Sequence, residues 1–351
     1  MRFAICLIVS TVVLSGCTDA EERLLGELLD QRNEPQDGTI LLALVHADGS
    51  ISAADMGATP LGPDDPIRIA SITKAFTAAL VLTLVDDGLV ALDISASVYV
   101  PRLSLPEEIT VRHLLNQRSG LTDYTQAAIY GNTDDGNSTA WTPDELYRMI
   151  EDESMTFPSG SRFKYSNTNY MILGHLVEEV TGQPYHEVLR ERILDPIGLD
   201  ATYLSHYEQG ETPREAFTEQ LGDSVVPVDF DYTAIATTVW SAGGLVSNVV
   251  DVHEFFAALS RGEVISPSLF SEFITGTGIG RNPARRYDYG LGVELFDAPT
   301  LVYGARGNLP GYITLVMHSP ETLETFMYVS TNDRYWNFSW TLDDAPGLLS
   351  S

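Results

Sequence analysis

Ser71-Ile72-Thr73-Lys74-Ala75-Phe76-Thr77 opens the most apolar helical stretch of this chain, and it holds one of only two lysines in 351 residues, the other being Lys164. Apolar residues recur through Asp87, so the segment predicts a buried helix. Three positions along a helix is nearly one turn, which brings the Ser71 hydroxyl and the Lys74 amine onto one face within hydrogen-bonding reach. A hydroxyl is a weak nucleophile at its own pKa, and an amine accepts its proton only when burial or a neighbouring charge drives it toward neutrality. An apolar helix supplies that burial. Ser71 at the helix start also offers its backbone N–H to a developing oxyanion. The same residues read equally as an N-cap serine and a lysine whose stem lies on apolar surface, so a second motif is needed.

Tyr165-Ser166-Asn167 provides one. It follows Pro158-Ser159-Gly160 and Lys164 and precedes a helical pattern from Thr168 to Val180. A tyrosine there can relay a proton to a leaving group, and Asn167 can hold an amide of the substrate. On either side of this block the pattern is strand-like. Ile40 to His46 and Ile51 to Met56 flank Asp48-Gly49 as a hairpin, and strands return over Tyr289 to Phe296, Thr300 to Tyr303, Tyr312 to His318 and Thr325 to Ser330. Further helices are expected over Val111 to Asn116, Pro143 to Asp152 and Val250 to Ser260, with Thr142-Pro143-Asp144-Glu145 forming a capping box and Gly88 and Gly182 marking helix ends. Strands at both ends enclosing helices predict an α+β fold: one antiparallel sheet built from both chain ends plus a mainly helical lobe, with the site between them.

The amino terminus reads as an export signal. Met1-Arg2-Phe3 leads into an apolar run from Ala4 to Val13 and then Leu14-Ser15-Gly16-Cys17, too short to span a bilayer and with small residues before the cysteine. Residues 1–16 are therefore expected to be removed, with Cys17 lipidated and residues 17–38 acting as a tether and short helix, Leu24, Leu25, Leu28 and Leu29 sharing one face. Residues 39–345 form a single domain of two lobes. The expected location is the cell envelope, as a periplasm-facing lipoprotein of the outer membrane, which Thr18 permits. With Cys6 in the signal and Cys17 carrying lipid, the two cysteines leave no disulfide framework. A net charge of -29 makes nucleic acid a poor partner.

Other chemistries find little support. Seven histidines show no His-Glu-x-x-His spacing, no Gly-x-Ser-x-Gly elbow occurs, and Gly276-Thr277-Gly278-Ile279-Gly280 lacks phosphate-loop spacing. Gly131 to Thr139 reads as a loop rather than a calcium site. No metal or organic cofactor is expected.

With both motifs in place, the sequence resembles the penicillin-recognising serine enzymes: serine beta-lactamases, DD-peptidases and their esterase relatives, whose first motifs are Ser-x-x-Lys and Tyr-x-Asn. The pattern, from about Ile67 to Asn332, is most like the actinomycete D-alanyl-D-alanine carboxypeptidase type. Arg118-Ser119-Gly120-Leu121 and Trp240-Ser241-Ala242-Gly243-Gly244 support it. The resemblance implies that Ser71 is acylated and then released by water, with the oxyanion held by the backbone amides of Ser71 and Asn308, Tyr165 and Lys74 sharing the proton, and Trp240 lining the cleft. Two departures stand out. The third motif, Lys or His followed by a small residue and Gly, is here Ala305-Arg306-Gly307, and Glu294 stands where the carboxypeptidases offer an arginine to the substrate carboxylate. Arg306 is the candidate replacement, since a guanidinium grips a carboxylate with two hydrogen bonds. The expected activity is D-alanyl-D-alanine carboxypeptidase-like, on a peptidoglycan-derived peptide or a small ester or amide; the alternatives are an esterase or D-aminopeptidase-like hydrolase, and a non-catalytic binding homologue.

Overall fold

The computed structural model describes residues 19–30, 37–125, 128, 140–218, 226–228, 232–278, 287–335 and 349. Cys17, where lipidation is expected, and the loop expected over Gly131 to Thr139 lie outside these residues.

The two chain ends meet in one sheet. Strands β1 (Thr39–Val45) and β2 (Ile51–Gly57) form the expected hairpin, and β1 pairs on its other edge with the last strand. In chain order the remaining strands are β3 (Ile67–Arg68), β4 (Tyr203–Leu204), β5 (Phe217–Thr218), β6 (Val226–Pro227), β7 (Leu245–Ser247), β8 (Tyr287–Tyr289), β9 (Glu294–Phe296), β10 (Val302–Leu309), β11 (Tyr312–His318) and β12 (Thr325–Ser330). The main sheet has seven strands in the order β2-β1-β12-β11-β10-β9-β8, all antiparallel. Smaller sheets, β3-β7-β4 and β5-β6, escaped the sequence reading because segments of two or three residues carry no periodicity. Tyr289 to Phe296, expected as one strand, is two: β8 and β9 pair with each other across a turn where Gly292 takes φ +101°. A Cβ on Gly292 would come within 2.9 Å of the Tyr170 hydroxyl, so the turn reaches the helices only as glycine.

Alternation along the strands assigns the faces. Ile40, Leu42 and Leu44 of β1 pack with Leu25 and Leu29 of the Asp19–Asp30 helix, while Leu41, Ala43 and Val45 join the core shared with the other helices. The central Thr73–Asp86 helix is buried from Thr73 to Leu82, as its apolar circumference requires. The Thr142 capping box forms, and Gly182 closes the Asn167–Thr181 helix in a left-handed conformation.

Where the Val249–Arg261 helix crosses the sheet, the Nδ1 atoms of His253 and His318 each lie 2.8 Å from the Thr325 hydroxyl. Burial lowers their pKa values to about 4 and about 3. Both rings are neutral in the fold but protonate near pH ~6.5 once unfolded, so stability present above that pH is lost as pH falls toward the folded values. Between pH ~7 and ~5 each ring accounts for up to about 2 kcal/mol. The melting temperature is therefore expected to fall on acidification, and less steeply in His318→Asn. Equal slopes in the two proteins would refute the assignment.

Candidate active site

Ser71, the candidate nucleophile, sits on a strained turn. Ala70 takes φ +51°, a left-handed value unusual for a residue with a Cβ, and Ser71 follows in the short 3-10 turn Ala70–Ile72 ahead of the Thr73–Asp86 helix. Strand β10 holds this turn from the side. Thr314 of the adjoining strand donates its hydroxyl to the Ile69 carbonyl at 3.0 Å, and a Cβ on Gly307 would come 2.8 Å from the Ala70 Cβ and 2.5 Å from the Ile69 oxygen. Only glycine permits that approach. Gly307→Ala is expected to displace the turn and slow acylation of Ser71 by about 100-fold, the usual cost of misplacing a reacting atom by ~1 Å. Rates of covalent labelling in the two proteins check it.

Lys74 comes to Ser71 from within the helix. Its side chain is 1 % exposed, with Nζ 2.9 Å from Ser71 Oγ and 2.6 Å from the Ala242 carbonyl oxygen. Desolvation lowers its pKa to about 7, against a smaller opposing pull from the Asp123 carboxylate. A substantial fraction of the amine is therefore neutral near neutral pH, with its lone pair available to the serine proton. From the other side the Tyr165 hydroxyl donates to Ser71 Oγ at 2.9 Å. The residue is 38 % exposed, yet desolvation holds the phenol well above its ordinary pKa. The Tyr165 hydroxyl is thus placed as a hydrogen-bond donor to Ser71 Oγ, and the neutral form of Lys74 is placed within reach of the serine proton.

Trp240 corrects an expectation. It does not line the cleft: it is 2 % exposed, with ring centroids 5.3 Å from His175 and 5.5 Å from Tyr185. Its backbone does the positioning. At φ +31°, ψ -122° it breaks the Thr233–Gly243 helix, and the next carbonyls turn inward, Ser241 O accepting from the Thr77 hydroxyl at 2.6 Å and Ala242 O from Lys74.

The two departures noted in the sequence are partners. Arg306 donates from Nε to Glu294 Oε2 at 2.7 Å and from Nη2 to Oε1 at 3.1 Å, with its guanidinium carbon 4.3 Å from the Tyr287 ring centre. β9 and β10 pair with Glu294 opposite Gly304, and Arg306 lies two residues further along the same face. Burial raises the Glu294 pKa against the pull of Arg306. The guanidinium is thus already gripped by a carboxylate of its own chain. Ala305 and Gly307, on the opposite face of β10, carry no charge; Asn308 follows, exposed on the strand that flanks the Ser71 turn.

Asn167 starts the Asn167–Thr181 helix and is held by Asp123, which the sequence reading missed: its backbone N–H donates to Asp123 Oδ2 at 2.9 Å and its Nδ2 to the same atom at 3.0 Å. Gln117, also missed, accepts from Ser166 N at 2.9 Å and from Asn169 Nδ2 at 2.6 Å, steadying the loop that carries Tyr165. Neither residue has a local sequence signature, because each acts on a segment more than 40 positions away.

Comparison with known proteins bears on the family and the fold. The Beta-lactamase family model matches residues 32–349. A penicillin-binding protein of Bacillus subtilis is 25 % identical, over 78 % of this chain and 62 % of its own length, and a D-aminopeptidase of Gluconobacter oxydans is 24 % identical over 74 % and 48 %. The chain thus spans about half to three fifths of the length of these relatives. Among solved structures, a D-stereospecific amidohydrolase from Streptomyces sp. superposes with a TM-score of 0.81 at 26 % identity, covering 94 % of this chain and 98 % of that one.

Proposed function

The chain belongs to the beta-lactamase family, in the superfamily of serine beta-lactamases and DD-peptidases, and from that premise we propose that it is a serine hydrolase that forms an acyl-enzyme on Ser71 and acts on small amides or esters lacking a terminal carboxylate. The observation that carries the chemistry is the convergence of Lys74 Nζ and the Tyr165 hydroxyl on Ser71 Oγ, each at 2.9 Å. Neutral Lys74 takes the serine proton as Oγ attacks the carbonyl carbon. Backbone N–H groups of Ser71 and Asn308 hold the oxyanion. Tyr165 gives its proton to the departing nitrogen or oxygen and is replenished from the Lys74 ammonium. Water then attacks the ester carbonyl, and the same groups return the proton to Ser71.

The choice of substrate rests on Arg306. A D-alanyl-D-alanine carboxypeptidase needs a cation for the terminal carboxylate of its peptidoglycan-derived substrate, and the guanidinium nearest that role is paired with Glu294. Ala305 offers none. This favours the amidase and D-aminopeptidase reading over the carboxypeptidase one, in keeping with the relatives named D-aminopeptidase and D-stereospecific amidohydrolase. Export and lipid attachment at Cys17 complete the proposal, supported by Leu14-Ser15-Gly16-Cys17.

Intact-mass analysis after exposure to a fluorophosphonate tests the nucleophile. The native chain is expected to gain one adduct and Ser71→Ala none. A native chain that takes no adduct is a binding homologue instead. Turnover of D-alanine p-nitroanilide without release of D-alanine from a D-Ala-D-Ala peptide is the expected substrate pattern, and the reverse pattern restores the carboxypeptidase reading.

A further inference from the structure

The Asn167 carboxamide is held in one orientation. Its Nδ2 donates to Asp123 Oδ2 at 3.0 Å and to Thr125 Oγ1 at 3.2 Å, and Thr125 in turn donates its N–H at 2.9 Å and its hydroxyl at 2.6 Å to Asp123 Oδ1. Turning the amide over would set its oxygen against a carboxylate, so the network fixes which end is left over for a ligand. That end is Oδ1, which receives no hydrogen bond among the described residues although Asn167 is only half-buried. A site built to hold a substrate carbonyl would present the N–H end. This one presents an acceptor.

The charge behind the acceptor has the matching sign. Asp123 accepts four hydrogen bonds from neutral groups and forms no ion pair among the described residues. Its carboxylate lies close enough for its field to act on both Lys74 and Tyr165. Across the site, Glu294 occupies Arg306. Beside Asn167 the fixed charge is therefore the Asp123 carboxylate, unpaired among the described residues, within a chain of net charge -29. Such a surface disfavours an anionic substrate group and favours an N–H donor carrying positive charge. Asn167 is two residues from Tyr165, whose hydroxyl touches Ser71, so the favoured group lies beside the scissile carbonyl rather than at the far end of a long substrate.

We propose that Asp123 and Asn167 form an ammonium-recognition site, in which Asn167 Oδ1 accepts a hydrogen bond from a protonated amine on the carbon next to the scissile carbonyl while Asp123 orients Asn167 and supplies the opposing charge. The proposal deepens the hydrolase reading and rests on it for the position of the carbonyl, but its test does not depend on turnover. Binding of D-alaninamide and of N-acetyl-D-alaninamide is measured by calorimetry on the Ser71→Ala chain at pH 7. The free amine is expected to bind at least about 10-fold more tightly, and the difference to vanish in Ser71→Ala/Asp123→Asn. With Asp123 intact it is also expected to fade as pH is raised past ~8, where an α-amine loses its charge. This pH series keeps the proposal testable should the double variant fail to fold. Equal binding of the two amides, binding of neither, or a preference that survives both the substitution and the pH change overturns the ammonium site. The fluorophosphonate adduct at Ser71 is read separately, so failure of the hydrolase reading is distinguishable from failure of the ammonium site.

Discussion

Lys74→Met is expected to lower kcat/KM by about 1000-fold or more while leaving the melting temperature within a few degrees of the native value. Methionine nearly matches the lysine stem in volume and is at ease in the apolar interior where Lys74 is 1 % exposed. What the substitution removes is a proton acceptor 2.9 Å from Ser71 Oγ. It also strips the Ala242 carbonyl of its 2.6 Å donor, a loss of about 1 kcal/mol that is offset by no longer desolvating an amine. The native enzyme should show the same dependence through pH. Lys74 is protonated below its value of about 7 and then cannot act as a base, so kcat/KM should rise with pH through neutrality and at pH ~5 be about a hundredth of its plateau. Assays well below the melting temperature separate this limb from the acid loss of stability set by His253 and His318. A flat profile from pH 5 to 8 would assign the base to another group.

The second large effect concerns stability. Arg306→Met leaves Glu294, 8 % exposed, without the guanidinium that donates to both of its oxygens. An uncompensated buried carboxylate costs about 3–5 kcal/mol, whereas replacing both members of such a pair by apolar side chains is often neutral. The double variant Glu294→Leu/Arg306→Met is therefore expected to recover most of the loss, as read from denaturant midpoints at pH 7. Near pH 4 the single variant should recover part of it, since the carboxyl whose pKa burial raises is then protonated. If Arg306 instead gripped a substrate carboxylate, Arg306→Met would cost little stability and would selectively raise KM for carboxylate-terminated peptides.

Much of the fold was legible because its signals are local. The β1–β2 hairpin, the capped helices and the buried Thr73–Asp86 helix each rest on periodicity and end chemistry. The proximity of Ser71 and Lys74 was equally local, one helical turn apart. Glu294 and Arg306 were each visible as a departure from the resembled pattern, but the antiparallel register of β9 and β10 was needed to make them partners. Trp240 was misplaced for a similar reason: sequence offers a large aromatic ring, and only its packing against His175 and Tyr185 assigns it to the core.

By itself, then, the sequence determined an α+β chain with a serine and a lysine on one helical face and a tyrosine and asparagine ahead of another, because covalent spacing within a regular helix dictates which side chains are neighbours. Tertiary structure alone decided that Tyr165 meets Ser71 across 94 positions of sequence, that Asp123 fixes the direction of Asn167, and that Arg306 is spent on Glu294. These contacts arise from strand register, burial and the close approach allowed at Gly307, which depend on the whole packed molecule rather than on any segment of it.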